Sequence, residues 1–334
     1  MVIKDKFNRP IKDLRISVID RCNFRCPYCM PKEIYGERYQ FLKNDQLLSF
    51  EEIKTISEIF SRFGVEKLRI TGGEPLLRKD LPVLIKDLKS IFGIKEIALT
   101  TNGFFLNKYA LNLKQSGVDR LTVSLDSLNP ETYKKLNGQN LDIQKTLEGI
   151  KFAQSIGFEN IKINCVVMKG VNEGQIIDLV NFGRENNLII RFIEYMDVGT
   201  INGWKSDDVV YARDILGIIE KKYELKPVDP NYFGEVATRY KFIDGGGEIG
   251  MISSVSKPFC SDCTRARITA DGNLYTCLFT NQGHDLKSVI RKQSYKNLED
   301  FIRKIWIGRS DQYSQLRALG KTDKEKVEMY KIGG

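Results

Sequence analysis

Six times in its first part the chain passes from a short apolar run to a stretch with apolar residues at helical spacing. The strand-like runs lie at 14–19, 66–71, 96–101, 120–125, 160–168 and 188–195. Between them, Ser49-Phe50-Glu51-Glu52 reads as a capping box that opens a helix carrying Ile53, Ile56, Ile59, Phe60 and Phe63 on one face. Further helices are predicted at 81–91 and 106–115, in a long stretch ending near 156, and at 175–185. Alternation of this kind demands a parallel sheet with right-handed crossovers. Eight such units would take about 250 residues. Six units in residues 1–200 predict an α/β fold, a partial, open (βα)6 barrel of the TIM type, with a doubly wound open sheet as the alternative. From about residue 199 the pattern changes to short strands and turns, including Asp244-Gly245-Gly246-Gly247. Residues 201–334 are therefore read as an α+β extension.

Side-chain parity within the strands points to a site. Residues two apart share a face. Leu14, Ile16 and Val18 fall on one face and Arg15 and Ser17 on the other. Leu121, Val123 and Leu125 oppose Thr122, Ser124 and Asp126, while Lys67, Arg69 and Thr71 align, as do Lys162 and Asn164. Strands buried on both faces read as apolar throughout. Here one face is repeatedly polar and basic, and burying an unpaired charge costs several kcal/mol. These residues predict a wet, cationic lumen, with strand-end exposure as the plainer reading of any single one. The net charge of +9 agrees with an anionic partner. Its dispersed lysines and arginines argue for a pocket rather than a nucleic-acid surface.

Seven cysteines fall three and three, with Cys165 left over. Cys22, Cys26 and Cys29 sit directly after the first strand, where α/β enzymes place their active sites. Cys260 and Cys263 are followed by Cys277, with Arg265 and Arg267 between them. Thiolates select iron–sulfur clusters, zinc or copper(I). A structural zinc site closes with four ligands, and only His284 offers a fourth for the second set. Three ligands on a four-iron cluster leave one iron open to chemistry. This usage fits a reducing compartment, so the cytoplasm is predicted. The absence of a long apolar run or an N-terminal apolar segment predicts no membrane span and no secretion signal. A single histidine makes a histidine-based triad a poor reading. Cys165, mid-strand, reads as a small core hydrophobe.

The run Cys22-Asn23-Phe24-Arg25-Cys26-Pro27-Tyr28-Cys29 and the Gly72-Gly73-Glu74-Pro75 turn resemble the signatures of the radical S-adenosylmethionine (SAM) enzymes. The resemblance implies a four-iron cluster on Cys22, Cys26 and Cys29 that splits SAM to a 5′-deoxyadenosyl radical. It implies SAM contacts at Tyr28, Gly73, Glu74, Asn102, Ser124 and Met196. The C-terminal Cys260, Cys263, Arg265, Arg267 and Cys277 pattern and the terminal Gly333-Gly334 are similar to the GTP-cyclising branch of that superfamily, which opens molybdenum cofactor biosynthesis. That branch implies a second [4Fe-4S] cluster on Cys260, Cys263 and Cys277, holding the guanine edge. It implies GTP contacts at Arg15, Arg69, Thr100, Lys162, Arg191, Arg265 and Arg267, with Arg15, Arg265, Arg267, Gly333 and Gly334 needed for catalysis.

The implied reaction takes GTP to (8S)-3′,8-cyclo-7,8-dihydroguanosine 5′-triphosphate. It needs a reducing electron donor and hands its product to a cyclic pyranopterin monophosphate synthase. No nucleic acid or membrane partner is implied, and a homodimer is the candidate assembly. A radical SAM peptide-modifying enzyme with an auxiliary cluster is the alternative enzyme reading, and a zinc-dependent nucleic-acid binder the reading from a different class.

Overall fold

The computed structural model describes residues 2–318 and 326–333. Among the described residues, twelve strands form one sheet. They are β1 (Asp13–Ser17), β2 (Lys67–Thr71), β3 (Glu96–Thr101), β4 (Arg120–Ser124), β5 (Lys162–Val167), β6 (Ile189–Glu194), β7 (Leu225–Val228), β8 (Thr238–Phe242), β9 (Glu248–Ile252), β10 (Arg265–Ile268), β11 (Asn273–Tyr275) and β12 (His284–Asp285). The helices are α1 (Phe50–Arg62), α2 (Leu81–Lys89), α3 (Leu106–Ser116), α4 (Pro130–Asn137), α5 (Ile143–Ser155), α6 (Ile176–Glu185), α7 (Ala212–Glu220), α8 (Leu286–Lys292), α9 (Tyr295–Gly308), α10 (Tyr313–Ala318) and α11 (Met329–Ile332).

The order β1-β2-β3-β4-β5-β6 is sequential and parallel. A doubly wound sheet would reverse direction at a switch point; this one does not, so the barrel reading holds. The C-terminal region adds a parallel strand at each edge. β10 pairs with β1, and β9 with β6. Beyond them the antiparallel strands β11 and β12 extend one edge, and β8 and β7 the other. The sheet stays open, because β12 and β7 end it without pairing to each other. The long helical stretch expected before residue 156 is two helices, α4 and α5, separated at Gly138. Among the described residues no helix is long and apolar enough to cross a membrane.

Local chemistry accounts for the elements. Ser49 and Glu52 form the reciprocal capping box of α1, whose Ile53, Ile56, Ile59 and Phe60 are buried against the sheet. Replacing Ser49 with alanine should cost about 1 kcal/mol, read as a lower urea midpoint at unchanged slope. Each strand alternates between its two faces. Leu14, Ile16, Leu68, Ile70, Leu121, Val123, Ile163 and Cys165 enter the apolar core shared with the helices. The opposite face turns inward, and its composition makes the site.

Candidate active site

The register places the inward side chains in rows. Arg15 is the Cα partner of both Arg267 and Arg69. Farther round, Thr100 faces Thr122, Thr122 faces Lys162, and Asn164 faces Arg191. Neighbouring strands lie about 4.8 Å apart, so three guanidiniums stand side by side. The sheet curls enough for Arg191 Nη2 of β6 to donate to Thr122 Oγ1 of β4 at 3.4 Å. Little opposes this charge: Asp13 sits 3.7 Å from Arg69, and Glu235 4.0 Å from Lys162. Burial, then Arg267 and Arg69, push Arg15 well below its ordinary value. Arg191 is pushed down to about 9 by burial, Arg69 and Arg120. Burial and Arg265 push Arg267 down to about 10. A guanidinium keeps its proton at neutral pH, so these downward pushes report lost hydration first and mutual repulsion second, and an anion would offset both. The Nε atoms of Arg15, Arg69 and Arg191 and Oδ1 of Asn164 are buried without a hydrogen-bond partner. Orphaned buried groups of this kind are rare in folded proteins and suit a polar, anionic ligand.

Arg15, Arg69, Asn164 and Arg191 line one cavity of ≈ 1940 Å³ including its open mouth. All six clustered cysteines open into it. Cys22, Cys26 and Cys29 lie on the loop after β1. The turn after β2 zips to that loop through its backbone: Gly73 N donates to Ile19 O and Glu74 N to Arg21 O, both at 2.8 Å. The contact is so close that a Cβ on Gly73 would lie 2.3 Å from Arg21 O. Cys29 N and Met30 N both donate to Cys26 O, which winds the loop into a turn. Phe24 N donates to Cys22 Sγ at 3.4 Å. Cys260, Cys263 and Cys277 come from the segments flanking β10 and β11. Arg265 Nη2 and Arg309 Nη2 each donate to Cys263 Sγ at 3.2 Å.

All seven cysteines are free thiols. Burial pushes the Cys22 thiol up to about 12 and raises Cys26 and Cys29 too. Against burial, Arg265 and Arg309 hold Cys263 down to about 6. Among the described residues no group of three or more His, Cys, Asp or Glu is placed to hold one metal ion. Two soft sets of three thiols, each opening to one cavity, suit a polynuclear cluster, in which each sulfur takes a different iron. His284 of β12 pairs with Leu274 of β11 and packs edge-on to Phe301. It does not line the cavity, so it does not complete a zinc site there.

Of the other expected residues, Tyr28, Gly73, Asn102, Ser124, Met196, Arg15, Arg69, Thr100, Arg191, Arg265 and Arg267 line the cavity. Lys162 sits behind the lining. Glu74 is not in it either: its carboxylate accepts from Thr101 Oγ1 at 2.7 Å, Asn102 N at 2.8 Å and Leu76 N at 3.1 Å. Burial lifts it to about 7 against those bonds. Glu74 therefore ties the β2 turn to the end of β3. Gly333 O accepts from Arg267 Nη1 at 2.7 Å, with Gly333 at φ +68°, while Gly334 lies outside the described residues. Among the lining residues that no motif announced, three stand out. Asp126 accepts from Tyr28 OH at 2.6 Å and Val166 N at 2.9 Å, and burial raises it to about 6. Arg309 follows α9, and Tyr330 lies in α11. Asp126 continues the β4 parity and was legible that way; Arg309 and Tyr330 carry no periodic signal. Cys165 is buried in the core, as its mid-strand place suggested.

Comparison with known proteins covers both halves. Residues 16–183 match the Radical SAM superfamily, and residues 188–315 match Molybdenum Cofactor Synthesis C. A GTP 3′,8-cyclase of Acidothermus cellulolyticus is 50% identical over 322 residues, covering 95% of this chain and 89% of its own. A GTP 3′,8-cyclase of Staphylococcus epidermidis is 48% identical over 338 residues, covering 100% and 99%. Among solved structures, Streptococcus suis SuiB bound to S-adenosylmethionine superposes with a TM-score of 0.64 over 97% of this chain and 78% of its own. At 18% identity that likeness is one of fold, and the peptide-modifying alternative gains nothing more from it. About half of all positions are shared with the cyclases across the strands that carry the first cysteines and the region that carries the second, and the chain belongs to the GTP 3′,8-cyclase family of the radical SAM superfamily.

Proposed function

We propose that the protein converts GTP to (8S)-3′,8-cyclo-7,8-dihydroguanosine 5′-triphosphate, the opening step of molybdenum cofactor biosynthesis. The observation that carries this reading is one cationic cavity onto which two separate cysteine triads open. Residues 1–200 supply Cys22, Cys26 and Cys29 for the family's [4Fe-4S] cluster, and Tyr28, Gly73, Asn102, Ser124 and Met196 to frame SAM. Residues 201–334 supply Cys260, Cys263 and Cys277 for a second [4Fe-4S] cluster that orients guanine. When bound, the first cluster and SAM supply the hydrogen-abstracting 5′-deoxyadenosyl radical.

The chain's own residues do the rest. Arg15, Arg69 and Arg191 spread positive charge along the wall for a triphosphate of about −4, Lys162 adds to it from β5, and the unpartnered Nε atoms of the three arginines give it donors. Arg265 and Arg267 stand beside the second triad, in reach of the same nucleotide. Their contribution is positioning and charge neutralisation, which brings ribose C3′ and guanine C8 together. Met329 and Tyr330 roof the cavity and exclude water and oxygen from the radical. Glu74 acts indirectly, by fixing Gly73 and Asn102. The free cysteines fit the reducing cytoplasm. A one-electron donor and a downstream cyclic pyranopterin monophosphate synthase are the partners the chemistry requires, and a homodimer is the candidate assembly.

The test is anaerobic incubation of reconstituted protein with dithionite, SAM and GTP. The cyclised nucleotide and 5′-deoxyadenosine are expected together; SAM consumed with GTP recovered intact overturns the substrate reading. Lys162 gives a second, independent check. Burial, Arg191 and Arg120 lower its ammonium to about 7 in the ligand-free site. A triphosphate favours the charged form and raises that value. At pH 8, binding should therefore take up close to one proton, and at pH 6 almost none, so affinity falls as pH rises above 7. Calorimetry in buffers of different ionisation enthalpy reads the uptake. It should vanish in Lys162→Met, and its persistence there would assign the proton to another group.

A further inference from the structure

The loop after β6 does more than present Met196. Its next residue, Asp197, has a carboxylate that is 10% exposed and gathers three donors. Tyr313 OH of α10 reaches Oδ2 at 2.7 Å. Arg317 Nη1, also of α10, pairs with Oδ1. Lys326 Nζ, at the start of the C-terminal segment, donates to Oδ2 at 2.6 Å and to the Asp197 carbonyl at 2.8 Å. Three residues on, the same loop takes a second grip. Thr200 N and Oγ1 donate to Glu328 Oε1 at 2.9 and 3.0 Å. The Glu328 carboxylate lies against Gly199 so closely that a Cβ there would sit 2.1 Å from Oε2. The segment then carries Met329 and Tyr330 over the cavity and ends with Gly333 on Arg267.

We propose that Asp197 is a positioning residue that clasps the C-terminal segment, so that seating of residues 326–333 over the cavity is coupled to occupation of the SAM site through the Met196–Thr200 loop. The inference deepens the proposed function and rests on Met196 meeting SAM. The physical case is one of geometry and charge. Two cations with little solvent contact converge on one carboxylate, with Lys326 9% exposed and Arg317 13%. Buried ion pairs with additional hydrogen bonds hold register well, and removing one member leaves the others uncompensated. The loop carrying the carboxylate also carries Met196 into the cavity, so a ligand that fixes Met196 fixes the anchor one residue away. By linkage, whatever SAM contributes to the seating of the segment, the seated segment contributes equally to SAM affinity.

The test is hydrogen exchange on the reconstituted, full-length enzyme, with and without SAM, for Asp197→Asn and Lys326→Met. Lys326→Met breaks the clasp from the segment's side and leaves the loop intact, so it carries the test if Asp197→Asn folds poorly. In the wild type, SAM should slow exchange within residues 326–333. In either variant, that segment should exchange about tenfold faster, with SAM no longer slowing it, while β1 to β6 keep their protection. SAM affinity should fall by the same factor by which SAM loses its hold on the segment. The amount of 5′-deoxyadenosine formed per nucleotide product should rise with little change in the KM for GTP, because the cavity loses its roof. Unchanged exchange in 326–333, or loss of protection spread evenly over the strands, would overturn the clasp. Absence of nucleotide product from the wild type would instead overturn the proposed function, and the exchange and SAM-affinity results would still decide the clasp.

Discussion

Gly73→Ala should reduce SAM cleavage by about 100-fold, the scale of loss seen when a reacting group is displaced by about 1 Å. The added methyl has nowhere to go. Its Cβ would lie 2.3 Å from Arg21 O and 2.8 Å from Asp20 O, and both are backbone atoms of the loop that leads into Cys22. A flexible side chain could swing aside; a main chain held by bonds to Gly73 N and Glu74 N can only be displaced bodily. The loop must move, and Cys22 with it. Iron bound per chain should fall as well, while thermal unfolding of the barrel shifts by only a few degrees, because the sheet below the turn is untouched. Wild-type iron content together with more than half of wild-type SAM cleavage would show that the turn and the cysteine loop are not coupled as the structure has them.

Removing the second triad should separate the two chemistries. With Cys260, Cys263 and Cys277 all changed to alanine, iron should drop from about eight to about four per chain, on the expectation of two four-iron clusters. The nucleotide product should disappear, while slow cleavage of SAM persists, because Cys22, Cys26 and Cys29 lie together on a separate loop, the one after β1. Iron analysis and chromatography of 5′-deoxyadenosine read both outcomes. Eight irons retained in the variant would remove the second cluster from these cysteines. The loss of SAM cleavage as well would mean that the two halves do not assemble independently around their metals.

The six βα units and the inward basic face were legible because both rest on local periodicity. A period of two puts Arg15, Arg69 and Lys162 on the face opposite Leu14, Leu68 and Ile163 regardless of what lies beyond the strand. The cysteine triads were legible by spacing. What could not be read were facts that depend on distant partners. Nothing near Leu14 announces that β1 will pair with a strand beginning at Arg265. Glu74 sits in a motif that suggests a ligand contact, and nothing in that motif announces that its carboxylate also accepts from Thr101, Asn102 and Leu76, a geometry set by how β3 lies beside β2. Arg309 and Lys326 sit in stretches without apolar periodicity, and their roles come from contacts with residues distant in sequence, among them Cys263 and Asp197.

The pairing of β10 with β1 and of β9 with β6 also bears on synthesis. On the ribosome the six sequential strands are complete at Glu194, but β10 does not begin until Arg265. At about 5–20 residues per second, the nascent polypeptide waits several seconds with both flanks of its sheet carrying open rows of amides and carbonyls. Such flanks recruit other chains. A fragment stopped near residue 200 would remain in that condition permanently, so its expected fate is precipitation, and chaperone demand should peak late in translation.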